Sequence, residues 1–121
     1  MNRVVHFEIP ATDPETSRKF YESAFGWKFG QFGPAPYFLA TTGPDNMPGI
    51  NGAVMKRNHP QQPVTTIISV EDIDKAIAKI TAAGGKIVVN KTALPGVGWS
   101  AYFMDPDNNI LGIWKEDRAA I

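Results

Sequence analysis

The chain repeats its own pattern at a shift of 59 residues. HFEIPATD, a helix-like segment and GWKF run from His6 to Phe29. TTIISVED, a second helix-like segment and GKIV run from Thr65 to Val88. GPDNMPGINGAVMK near residue 50 returns as DPDNNILGIWK near the end. The shift lays His6 on Thr65, Asp13 on Asp72 and Gly26 on Gly85. The match is one of pattern more than identity. It narrows the fold because two copies of a small βα unit can pack face to face and bury what one copy leaves bare. The groove between such copies is a natural place for a ligand.

At 121 residues the chain has the size of one domain. Its 43% hydrophobic residues can bury a core. Lys+Arg and Asp+Glu number 12 each, so formal net charge is zero and no basic patch marks a nucleic-acid partner. The absence of cysteine removes disulfides, thiolate catalysis and Cys-ligated zinc. MNRVVHFEIP is too short in apolar residues for a signal peptide, and no run reaches membrane-spanning length. A cytoplasmic protein without a membrane partner is expected.

Arg3 to Pro10 alternates and reads as a strand. Val5, Phe7 and Ile9 then face a helix-packed core, while Val4, His6, Glu8 and Pro10 face the other way. Asp13-Pro14 opens a helix, with Asp as N-cap and Pro at the first helical position. Phe20 and Ala24, with Tyr21 beside them, form its expected buried stripe, and Gly26 ends it. Strands follow at Trp27 to Gln31, Pro36 to Thr41 and Gly49 to Lys56, the last two joined by the Gly43-Pro44-Asp45-Asn46 turn. Residues 58–63, NHPQQP, form a linker between module one (about 1–57) and module two (about 64–115).

Val64 to Val70 is the next strand. Asp72 to Ala83 is a helix with Ile73, Ala76, Ile77 and Ile80 inward, ended by Gly84-Gly85. Lys86 to Asn90, Trp99 to Met104 and Ile110 to Trp114 complete the second module. Gly96-Val97-Gly98 reads as a flexible loop able to cover a cleft, or as an ordinary turn. Residues 116–121 read as a tail, polar and frayed from Lys115 on. Each half is therefore β-α-β-β-β.

These features resemble the vicinal oxygen chelate superfamily, which holds glyoxalase I, bleomycin and fosfomycin resistance proteins and extradiol dioxygenases. The resemblance rests on the paired modules, the His in the first strand, the D-P helix opening, FGW after the helix and the DPDNN turn. HFEIPATDPE, PGINGAVMKR, PGVGWSAYF and DPDNNILGIW look closest to a bacterial branch of predicted enzymes related to lactoylglutathione lyase. It implies an α+β fold: two tandem βαβββ modules forming a curved mixed sheet around a cleft, helices outside. A homodimer is expected, because such modules leave sheet edges and apolar faces that pair.

Metal-dependent members of that superfamily place ligands on the first and last strand of each module. Carried over position by position, His6 supplies one. Gly52 or Ala53 stands at the second point, Thr65 at the third and Gly112 at the fourth, where metal-binding members carry Glu. A divalent ion needs about three protein ligands, so the family's usual geometry is not expected here. An ion shared by His6 and Glu8, whose Cα atoms lie about 6.5–7 Å apart on one strand face, would need a third ligand from elsewhere.

Without a metal, a same-face His/Glu pair can serve acid–base chemistry, such as proton abstraction next to a carbonyl. The plainer alternative is that His6 and Glu8 line a polar floor and catalyse nothing. Trp114, Trp99, Tyr102 and Tyr37 are candidates to wall an apolar pocket with polar tips, together with Thr65 and Gly112. Core or interface packing is the alternative for each. Alternation puts Ile110, Gly112 and Trp114 on the His6 face, with Leu111 and Ile113 on the helix. DPDNN reads as a structural turn, and His59 as solvated. Two functions stay open for a small-molecule partner. One is a glyoxalase-like lyase or isomerase using His6 and Glu8. The other is a non-catalytic sequestering protein of the bleomycin-resistance type.

Overall fold

The computed structural model of the chain describes residues 1–34 and 36–121. Among them run β1 (Arg3–Ala11), α1 (Pro14–Phe25), β2 (Lys28–Gln31), β3 (Tyr37–Thr41), β4 (Asn51–Lys56), β5 (Thr65–Ser69), α2 (Ile73–Ala82), β6 (Lys86–Leu94), β7 (Gly98–Met104) and β8 (Ile110–Glu116). The fold is α+β, and β-α-β-β-β occurs twice. None of the helices among the described residues is long and apolar enough to cross a membrane.

The chain gathers into two compact units: His6–Thr65, and Met1–Val5 with Thr66–Ile121. Within the first, the strand order is β2-β3-β4-β1, with β1 parallel to β4 and the other pairs antiparallel. Within the second it is β6-β7-β8-β5, with β5 parallel to β8. The 59-residue shift reappears as strand register. Glu8 pairs with Ala53 and Ile9 with Val54; Ile67 pairs with Gly112 and Ile68 with Ile113. Each residue of the second pairs lies 59 positions beyond its counterpart.

Both helices start as their caps dictate. The Asp13 carboxylate accepts from the Glu15 N–H at 3.2 Å and the Thr16 hydroxyl at 2.6 Å, and Pro14 follows at the first helical position. Gly26, at φ +71°, closes α1 by donating to the Glu22 carbonyl. Asp72 accepts from the Lys75 N–H at 3.0 Å. Helix α2 then lays Ile73, Ala76, Ile77 and Ile80 on Val70, Ala101, Ile113 and Phe103, the expected inward set.

Helix α1 is rotated from its expected orientation. Pro14 is its buried residue, and Ser17, Arg18, Tyr21 and Glu22 are half-buried. Phe20 is 58% exposed, Phe25 65%, and Ala24 is exposed as well. Tyr21 stacks on Trp27 at 4.9 Å, and the Arg18 guanidinium lies 5.4 Å from the centre of the Phe38 ring, held by Glu15 and Glu22. A stem that packs while its charge is paired can occupy an inner face that polarity alone would assign to solvent.

The end of the chain is pinned rather than frayed. Strand β8 continues to Glu116, the Asp117 N–H donates to the Val97 carbonyl and the Gly96 N–H to the Ala120 carbonyl, both at 2.9 Å. Ala120 is 2% exposed. Gly96-Val97-Gly98 is accordingly not a flexible cover. The Val97 N–H closes a tight turn onto Leu94, and a side chain at Gly98 would meet the Lys115 carbonyl and the Trp114 ring. The 58–63 linker is also a closed turn, with Arg57 donating to the Gln62 and Pro10 carbonyls. DPDNN is structural: Asp105 accepts from the Asp107 and Asn109 N–H groups, both at 2.9 Å.

The rotation of α1 sets two substitutions apart. Ile113→Ala, at 2% exposure, is expected to cost about 2–5 kcal/mol. Phe20→Ala removes exposed edge-to-face contacts with Tyr21 and Phe25 and is expected to cost under about 1.5 kcal/mol. Urea midpoints measure both; equal losses would place Phe20 in the core.

Candidate functional site

The site begins with Phe7. Its ring lies on Gly52, where any Cβ would collide with it, and stands 5.5 Å from the Trp27 ring. Its neighbours His6 and Glu8 therefore point to the opposite face of β1. The parallel register sets Asn51 beside His6 and Ala53 beside Glu8; β3 adds Leu39 beside Ala53 and Tyr37 beside Met55.

On this face Tyr37 joins the two residues singled out in the sequence. Its hydroxyl donates to Glu8 Oε2 at 3.3 Å and lies 3.3 Å from His6 Nε2. All three side chains are half-buried. Burial holds the His6 imidazole below its usual 6.5, and the neighbouring Glu8 partly opposes that shift. Burial, and then the Glu8 charge and hydrogen bond, push the Tyr37 hydroxyl well above its usual range. The result is a neutral imidazole near pH 7 joined to a hydroxyl that keeps its proton.

Nothing in the sequence tied Tyr37 to this pair, since it lies 31 and 29 residues away from them. A second polar group also went unread. Asn51 Oδ1 accepts from the Thr42 N–H at 2.9 Å, while the Thr42 hydroxyl donates to the Ile50 carbonyl at 2.7 Å.

The other expected site residues divide. Thr65 opens β5 and is 9% exposed. Trp99 packs with Ala101 and Phe103 toward α2. Its indole N–H donates to Asp117 at 3.0 Å and Lys91 Nζ covers its ring at 4.4 Å. Alternation along β7 puts Tyr102 on the opposite face, so Trp99 and Tyr102 do not line one wall. Tyr102 pairs with Gly112, and Trp114 pairs with Ser100 and covers Gly98. A Cβ at Gly112 would stand 2.5 Å from Ile67 Cδ1 and 2.9 Å from the Tyr102 ring. Tyr102, Gly112 and Trp114 thus share a face within their own unit, and His6, Glu8 and Tyr37 share one within theirs.

These donors do not fit the metal centre that the family resemblance implies. Ala53 is fully buried and carries no donor, and the space a side chain at Gly112 would need holds Ile67 and Tyr102. Among the described residues, no three of His, Asp and Glu cluster closely enough to hold an ion.

The lowered His6 value has a sign. Below 6.5 the unfolded chain takes up a proton that the folded imidazole resists, so stability falls as pH drops from 6.5 toward the folded value. Urea midpoints at pH 7.5 and 5.5 are expected to differ less in His6→Gln than in the wild type. An unchanged difference would show that His6 contributes nothing to the acid slope.

Comparison with known proteins identifies the family and the fold. The sequence model of the family described as "Glyoxalase/Bleomycin resistance protein/Dioxygenase superfamily" matches residues 3–113. The glyoxylase candidate CFP32 of Mycobacterium tuberculosis is 28% identical over 119 residues, covering 92% of this chain and 44% of its own length. The chain thus spans less than half of that relative. A "Glyoxylase-like domain-containing protein" of Didymella fabae is 34% identical over 113 residues, 88% of each chain. Among solved structures, methylmalonyl-CoA epimerase from Mycobacterium tuberculosis superposes with a TM-score of 0.72 at 10% identity, over 94% of this chain and 87% of that one. At that identity the likeness is one of fold.

Proposed function

The chain belongs to the glyoxalase/bleomycin resistance protein/dioxygenase superfamily, and on that premise we propose a small-molecule isomerase or lyase that moves a proton next to a carbonyl through His6, Tyr37 and Glu8. The observation that carries the reading is the Tyr37 hydroxyl, 3.3 Å from both His6 Nε2 and Glu8 Oε2. A fold neighbour named as an epimerase makes this the reaction class to test first.

The chain of bonds sets the tautomer. Tyr37 donates to Glu8, so its oxygen accepts from His6 Nε2–H, which leaves the lone pair on Nδ1. In the proposed step Nδ1 takes the proton from the carbon beside the carbonyl, and the electron pair moves onto the carbonyl oxygen. The imidazolium that forms is steadied through Tyr37 by the Glu8 charge. Return of the proton to the other face of the same carbon, as the electron pair comes back from oxygen to re-form the carbonyl, gives the epimer. In an α-hydroxy ketone, return to the former carbonyl carbon, with the hydroxyl proton passing to the oxyanion, gives the isomer. Burial, which lowers the His6 pKa, keeps the base neutral and ready at pH 7.

Hydrogen–deuterium exchange of α-hydroxy ketones in D2O, followed by proton NMR, tests this. His6→Gln should slow exchange by about 10²–10⁴-fold, and Tyr37→Phe by roughly 10–100-fold. Both effects are expected to persist in EDTA. Tight binding without exchange would favour the sequestering alternative, and wild-type exchange no faster than His6→Gln would sink the base.

We further infer a homodimer in the cytoplasm. The support is the aromatic face of α1, where Phe20 and Phe25 are exposed and ring contacts link Tyr21, Phe25 and Trp27. Light scattering should report twice the chain mass for the wild type and the single mass for Phe20→Glu/Phe25→Glu. A monomeric wild type would overturn it.

A further inference from the structure

Beside His6, the chain leaves β3 and returns through a turn rich in proline and glycine. A shallow pocket of about 250 Å³ opens there, with Thr42, Pro44, Asp45, Met47, Pro48 and Asn51 on its wall. Asn51 is the junction: it lines the pocket and is the register partner of His6, which puts the two Cα atoms roughly 5 Å apart on adjacent strands. Thr42 fixes which way its amide turns. Oδ1 is taken by the Thr42 N–H at 2.9 Å, so the Nδ2 donors point away from Thr42. The pocket's remaining wall is apolar at Pro44, Met47 and Pro48, and among the described residues Asp45 is the only charged side chain on it.

We propose that this turn is a substrate subsite: Asn51 Nδ2 donates to the ligand oxygen beside His6, and the pocket takes the ligand's far end. The proposal rests on the His6 base assigned above and adds the class of substrate. An N–H donor beside the base suits the oxygen that gains charge as the proton leaves. A wall with one carboxylate and no cation suits a far end that is neutral or cationic. It disfavours a phosphorylated or otherwise anionic end, which would meet Asp45 with no basic partner on the wall.

The test uses two ketones that differ at the far end, aminoacetone and dihydroxyacetone phosphate, titrated into the full chain and followed by amide NMR. Aminoacetone is expected to shift the amides of residues 42–51, and dihydroxyacetone phosphate at equal concentration is not. Asp45→Asn should weaken aminoacetone about two- to fivefold, the scale of one exposed charge pair. Asn51→Ala should weaken it too while amides outside the turn keep their positions. Equal binding of both ketones at the turn, no binding of either, or aminoacetone binding untouched by both substitutions would each overturn the subsite. Deuterium exchange at the carbon is read in parallel samples made up in D2O. Exchange without shifts at the turn sinks the subsite and spares the base; shifts at the turn without His6-dependent exchange sink the base and spare the pocket.

Discussion

The site depends on one close approach, Phe7 against Gly52. Because the ring occupies the space of a missing Cβ, β1 and β4 meet in one register and not in the next. A slip of one residue would turn every side chain of β1 to the other face. Phe7 would leave Trp27, and His6 and Glu8 would turn into the layer beneath α1. The His6–Glu8 pair is thus held where it is by an apolar contact on the opposite side of the strand.

The same scaffold solves a different packing problem in the second half. Glu8 beside Ala53 becomes Ile67 beside Gly112, in the identical register. A carboxylate next to a methyl group is replaced by a branched aliphatic chain next to no side chain at all, and the Tyr102 ring closes over the gap. One half keeps polar groups at this level while its copy fills the level with hydrocarbon. Duplication preserved the backbone ladder, which hydrogen bonding enforces at every position, and left the side chains between ladders free to diverge.

What could be read beforehand follows from how local each signal is. Asp13, Gly26 and Asp72 act on neighbours within a few residues, so both helices were legible. The inward face of α2 was legible because Ile73, Ala76, Ile77 and Ile80 are all apolar. The inward face of α1 was not, since Arg18 and Tyr21 reach inward while Phe20 faces out. Polarity misleads where a guanidinium is paired and laid on a ring. The tail from Asp117 and the Gly96 turn stabilise each other through backbone bonds that leave no mark in residue type. His6 and Glu8 could be seen as a pair because two residues separate them on one strand. Tyr37 could be noticed only as an aromatic, and its role is a matter of distance across the sheet. Trp99 was misplaced for want of one fact, which parity of β7 faces α2.

The Tyr37 hydroxyl has a single hydrogen, and with that hydrogen given to Glu8 its oxygen accepts from His6 Nε2–H. That makes the trio a directed arrangement: a bond given to Glu8 leaves His6 as the donor at the other end. Any ligand oxygen that claims the same hydrogen must take it from Glu8. The direction of that one O–H bond and the tautomer of His6 are thereby set together.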